Sequence, residues 1–217
     1  MKPLRKPLTW FALAIGTLAA VQGCIPVIVG GTGMAVAMAS DRRSSGAYVE
    51  DESIEWKASR WISEKLGDRV HVNTTAFNRK LLLTGEAFNE ESRAEAERIA
   101  RTVDNVKEVV NELRVAPTSS LSARSNDSYI SSKVKARFVD QKDFRIQHVK
   151  VTTEAGTVHL LGLVTEKEGN AATEVARTTS GVQKVIRVFE YISEEEARRI
   201  DKAVTTSDTT TQETTSR

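Results

Sequence analysis

The side chains able to do chemistry are few and widely spaced. One thiol, Cys24, stands among 217 residues, and the three imidazoles are His71, His148 and His159. A lone thiol excludes an internal disulfide, so any folded unit depends on its apolar core. Cys24 follows an apolar stretch from Leu8 to Val21, itself preceded by Lys2, Arg5 and Lys6. Three roles fit such a thiol: a buried small hydrophobe, part of a membrane-spanning helix, or a site of covalent modification. His71 and His148 each precede a valine, and His159 lies between Val158 and Leu160. Alternation along strands puts the three rings on the sheet face away from the core and predicts that they face solvent. No metal-ligand spacing, nucleophile elbow, phosphate loop or zinc motif accompanies them. The sequence therefore predicts a protein that is not an enzyme, with no metal or cofactor.

Charge is the second chemical signal. The formal net charge is only +2, but it is unevenly spread. Residues 51–115 hold 11 bases and 13 acids, whereas residues 125–192 hold 10 bases and 8 acids. Lys133, Lys135 and Arg137 concentrate the excess around a helical core stripe of Ile130, Val134 and Phe138. At ~100° per residue, Tyr129 falls about 140° from the centre of that stripe, with Lys133 beside it. An aromatic ring among cations suits an anionic membrane interface, where the ring sits at headgroup depth and the cations meet phosphates. A solvated helix face with an incidental tyrosine is the other reading. Trp56 lies on the far side of its own helix from Ile54, Ala58 and Ile62, a possible contact for a partner, for the other half of the chain, or for a membrane.

The elements that position these residues occur twice. Residues 70–87 and 148–164 match at an offset of 77, pairing Val72 with Val149, Leu83 with Leu160 and Gly85 with Gly162. Ala100-Arg101-Thr102 is repeated as Ala176-Arg177-Thr178 at an offset of 76. Each copy reads as helix, strand, strand, helix, strand. The predicted fold is α+β: two tandem units, each with helices packed on one face of a small three-stranded sheet. Thr165 and Glu168 form a capping box. Gly85 and Gly162 predict a close approach of a helix to the sheet. Leu82, Leu161 and Leu163 point away from the core set, which predicts that the units pack together or onto a partner.

Two resemblances attach to these residues. Val21-Gln22-Gly23-Cys24 resembles a bacterial lipobox, which implies cleavage before Cys24, an S-diacylglycerol on its thiol and an acyl chain such as palmitate on its new amino group. Ile25, not Asp, follows the cysteine, which by analogy implies export to the outer membrane. The competing reading, a membrane anchor running from Pro7 to Ser40, is opposed by Pro26 and by Gly30, Gly31 and Gly33. The strands "GTVHLLGLV" (156–164) and "GVQKV" (181–185) resemble the BON domain of bacterial envelope proteins. The first unit departs from that pattern, with Arg79 at the turn glycine and Asn105 before Val106. Asn78 is suited to the left-handed turn position.

The resemblance implies a lipid-anchored protein on the periplasmic face of the outer membrane that supports envelope integrity. It also implies binding of anionic phospholipid through the second unit and a place at the division site. Tyr129, Lys133, Lys135 and Arg137 are the candidate lipid contacts. The membrane is the expected partner, outer-membrane assembly or division proteins are further candidates, and nothing points to nucleic acid. The alternatives are a lipid-anchored interaction scaffold and a soluble periplasmic stress chaperone. The expected boundaries are a signal peptide (1–23), an acylated tether (24–51), BON units at 52–115 and 125–192 joined by a linker (116–124), and a short helix with a disordered Ser/Thr-rich tail (193–217).

Overall fold

A computed structural model describes residues 41–215, with side chains described as far as Val204. The signal segment, Cys24 and most of the tether lie outside the described residues. The first helix, α1 (Ser45–Leu66), opens on Ser44, whose Oγ accepts the Ala47 N–H. Its buried stripe is Asp51, Ile54, Ala58, Ile62 and Leu66, one residue per turn. The helix starts seven residues before the predicted unit boundary, because the Ser44 cap lies inside the segment read as a spacer.

Strands β1 (Val70–Phe77) and β2 (Lys80–Ala87) form an antiparallel hairpin. Asn78 and Arg79 both take positive φ at its turn, so the missing glycine is tolerated. Asn105, the second departure, is also left-handed. Helix α2 (Glu90–Ala100) leads to β3 (Glu108–Asn111), parallel to β2. A further short strand, β4 (Arg114–Val115), continues in the same register. The predicted single third strand is thus broken at Glu112 and Leu113. Asn111 Oδ1 accepts the Leu113 N–H at 3.1 Å and Leu113 is buried in the core, which interrupts the ladder.

The second unit repeats the plan with α3 (Leu121–Val139), β5 (Val149–Glu154), β6 (Thr157–Val164), α4 (Glu166–Arg177) and β7 (Lys184–Tyr191). Strand β6 pairs antiparallel with β5 and parallel with β7. The Thr165–Glu168 capping box is present. Helix α3 begins four residues before the predicted boundary, on the Ser120 cap.

The predicted glycine role changes. A Cβ on Gly85 would lie 2.0 Å from the His71 carbonyl oxygen, and one on Gly162 2.4 Å from that of His148. The close approach is therefore by backbone on the neighbouring strand's side, not by a helix.

The α+β prediction of two units, each with its helices on one sheet face, holds. The inner sheet faces meet: Phe77 and Leu82 of the first unit cluster with Leu161, Leu163 and Val188 of the second. The last helix, α5 (Glu194–Thr215), packs Ala197 and Ile200 on the body. Its backbone stays helical through most of the segment read as a disordered tail. Capping by Ser193 and the three acids of the first turn account for its start. Among the described residues no helix is long and apolar enough to cross a membrane.

Candidate functional site

The stripe Asp127, Ile130, Val134 and Phe138 fixes α3 against its sheet. Phe138 meets Phe144 edge-on at 4.9 Å, and Ser131 donates to Thr153 Oγ1 at 2.8 Å. The opposite face is set by this register. Leu121, Tyr129 and Val139 are exposed there to 76 %, 63 % and 66 %. Ser122, Ser125, Ser132 and Ala136 are also exposed. On a helical wheel of ~100° per residue, all of these lie within about 80° of Tyr129. Leu121 and Val139 were missed in the sequence, although their wheel positions would have found them.

The four candidate residues separate into roles. Lys133 Nζ sits 4.7 Å from the Tyr129 ring centroid and donates to the Ser180 carbonyl. Gly181, the signature glycine, makes room for this contact, since a Cβ there would come within 3.3 Å of Lys133 Nζ. Arg137 Nη1 donates to the Val175 carbonyl at 2.9 Å and to Thr178 and Thr179 Oγ1 at 3.1 and 2.9 Å. It holds the C-terminal end of α4, a favourable place for a cation. Lys135 is exposed on the other flank. The structure therefore brings Tyr129 and Lys133 together and gives Arg137 a packing duty besides its charge. Within α3 the one acid, Asp127, is buried and turned inward, so the outer face is apolar and serine-rich with basic flanks as far as the exposed C-cap, Asp140.

Asp127 has another task. Its two carboxylate oxygens accept the Ala155 and Gly156 N–H groups, each at 2.8 Å. Asp51, 76 residues earlier, accepts the Asn78 and Arg79 N–H groups, each at 2.7 Å. Each unit thus ties its hairpin turn to its first helix with one buried aspartate. The sequence signal was an acid three residues before the first core isoleucine in both copies.

Trp56 is 62 % exposed on α1, in the outer layer of the first unit, with the Arg60 guanidinium 5.2 Å from its ring. A shallow groove beside it is lined by Glu52, Glu55, Ser59 and Thr74.

The histidines differ from expectation. His71 and His159 lie on the strand face away from their own unit's helices, as alternation requires, but that face is covered; His148 sits in the 3-10 turn before β5, its ring 3.6 Å from Glu168 of α4. His148 and His159 are buried. His71 is half-buried, its Nδ1 3.2 Å from Glu86 and its Nε2 3.0 Å from Arg124. Glu86, also buried, accepts from Arg114 and from the Ser119 N–H, which fastens the linker to the first unit. Among the described residues, no three His, Cys, Asp or Glu side chains form a metal-binding set.

The BON domain family profile matches residues 59–117 and 126–193. The chain is 36 % identical over 189 residues to the outer membrane lipoprotein DolP of Haemophilus influenzae, covering 86 % of this chain and 97 % of that protein. A 21 kDa hemolysin of Actinobacillus pleuropneumoniae is 34 % identical over 154 residues, covering 70 % of this chain and 79 % of that one. The osmotically-inducible protein Y of Escherichia coli is 26 % identical over 154 residues, covering 67 % of this chain and 75 % of that protein.

Proposed function

The chain belongs to the BON-domain family and, within it, to the outer-membrane lipoproteins of the DolP type, and from that premise we propose that it supports envelope integrity by docking α3 on anionic phospholipid. It acts without catalysis, held by lipid on Cys24 at the periplasmic face and gathered at the division site. The observation that carries this reading is the outer face of α3. Three exposed apolar side chains share it, its one acid is the C-cap Asp140 at the helix end, and Lys133 and Lys135 flank it. Near a charged surface each cation contributes about 1 kcal/mol, and the Tyr129 ring adds interfacial burial.

Vesicle co-sedimentation of residues 40–217 tests it. The fragment is expected to prefer anionic over zwitterionic vesicles, more weakly in high salt. Tyr129→Ala with Lys133→Gln is expected to weaken binding about tenfold, the sum of one lost cation and one lost ring contact, with the melting temperature nearly unchanged. Equal binding to both vesicle types would overturn the phospholipid reading. Unchanged binding by the double variant would move the site elsewhere. The anchor is tested separately. Cys24→Ser is expected to abolish labelling by a clickable palmitate in cells, and label retained by that variant would refute the assignment.

A second reading is favoured by Trp56. An exposed tryptophan beside acids, on a different outer layer from Tyr129, suits a protein partner such as an outer-membrane assembly or division protein. Trp56→Ala should then impair envelope function while leaving vesicle binding intact. The stress-chaperone alternative has no such observation behind it.

A further inference from the structure

The residues just before α1 are not a free tether. Asp41 and Arg42 are buried. Arg42 Nη1 and Nη2 grip the Glu168 carboxylate at 2.7 and 2.8 Å. Its Nε and Nη2 grip Asp201 at 2.9 and 3.0 Å, and Nη1 also reaches the Leu163 carbonyl at 3.1 Å. One guanidinium thereby joins the pre-helix segment to α4, β6 and α5. Arg43 turns to the first unit. Its Nη1 donates to Asp51 at 2.8 Å, and its guanidinium carbon lies 4.1 Å from the centre of the Phe77 ring. It also pairs with Asp41 at 2.6 Å.

Desolvation opposes burying an arginine, and only a full set of bidentate partners offsets it. Arg42 has that set. Burial alone would push the Glu168 carboxyl up, but the neighbouring His148 ring and Arg42 hold it well below the usual range. The His148 ring nitrogens lie 3.6 Å from Glu168 and 3.8 Å from Asp201, inside the same charged cluster.

We propose that Arg42 and Arg43 form a strap that locks the tether across the seam between the two units, one arginine committed to each. The tether then leaves the body at a fixed point beside α4 and α5, and the body presents a restricted set of orientations to the bilayer. The strap stands whether or not α3 meets lipid; only its consequence for orientation rests on the lipoprotein reading. Partial trypsin digestion of the full chain in detergent, with peptides mapped by mass spectrometry, tests it. In the wild-type protein, cleavage after Arg42 and Arg43 is expected to be slow. With Glu168→Gln and Asp201→Asn together it is expected to rise at least tenfold, because the carbonyl and amide oxygens that remain carry no charge. Cleavage after Arg114, which pairs with Glu86 and not with the strap, should change little. Arg42→Lys, which keeps the charge but loses the fork, should fall between. Wild-type cleavage after Arg42 as fast as in the double variant would overturn the strap. So would protection unchanged by the double variant. Should the double variant unfold, seen as fast cleavage after Arg114, the wild-type and Arg42→Lys rates still decide.

Discussion

Asp127→Ala is expected to lower the melting temperature by about 10 °C, a loss of about 3–4 kcal/mol. The estimate follows from what the carboxylate holds. It receives two backbone N–H groups, from Ala155 and Gly156, at the tip of the β5–β6 hairpin. Ala155 has φ +48°, a left-handed conformation that a residue with a Cβ adopts at a cost. The charge-assisted bonds help to offset that strain, each being worth about 1.5–3 kcal/mol. Removing the carboxylate leaves both donors without their partner. Asp127→Asn keeps the shape but faces one N–H with an amide donor, so about half the loss is expected. Asp51→Ala should cost at least as much, since Arg43 would lose a partner while buried. Thermal melts of the three variants, with hydrogen exchange across residues 149–164, provide the measurement. A loss under about 1 kcal/mol for Asp127→Ala would show that the turn holds itself.

These aspartates mark how far the sequence was legible. The duplication, the strand alternation and the core stripes were readable because each is a local pattern repeated at a fixed offset. Asp51 and Asp127 sat in the same repeat, yet an acid beside a helical stripe also fits a solvated face. Its real partner is a turn 27 to 29 residues away, and only folding brings the two together. Arg42 was less legible still. Its partners lie 121 to 159 residues distant, and "SDRRSSG" has the composition of a spacer. The histidines show a third kind of limit. Alternation gave the sheet face of His71 and His159, though not of His148, which precedes the strand in a 3-10 turn, and a period of two says nothing about what covers that face. Leu82, Leu161 and Leu163 supplied the hint, and the seam they form buries His159.

That seam makes acid the condition to which the protein should respond most. Burial, with Lys184 nearby, lowers the His159 pKa from 6.5 to about 4. The folded state thus binds this proton less readily than the unfolded chain. The resulting stability is fully present above about pH 6.5 and is lost as pH falls through about 4. At 1.36 kcal/mol per pKa unit, the loss approaches about 3 kcal/mol. Glu168 acts in the same direction at lower pH, since its carboxylate is held below the ordinary value and its contribution fades as pH falls below about 4.5. Glu154 opposes them. Burial raises its pKa, so its share of the stability is present in acid and lost as pH rises through the folded value. Between pH 6.5 and 4 Glu154, raised above 4.5, offsets part of the histidine's loss, while Glu168 acts only below that value. The wild-type melting temperature is therefore expected to fall by several degrees over that window, and by less in His159→Leu, which carries no proton. An equal fall in the variant would assign the acid response elsewhere. Location gives the same experiment a second readout. His159 lies in β6 opposite Thr152 and Ile186, on the face that carries Leu161. A charge placed there disturbs the layer between the sheets before it reaches either unit's own core. Hydrogen exchange at pH 4.5 should accordingly rise first in β6 and β2, while α1 and α3 keep their protection.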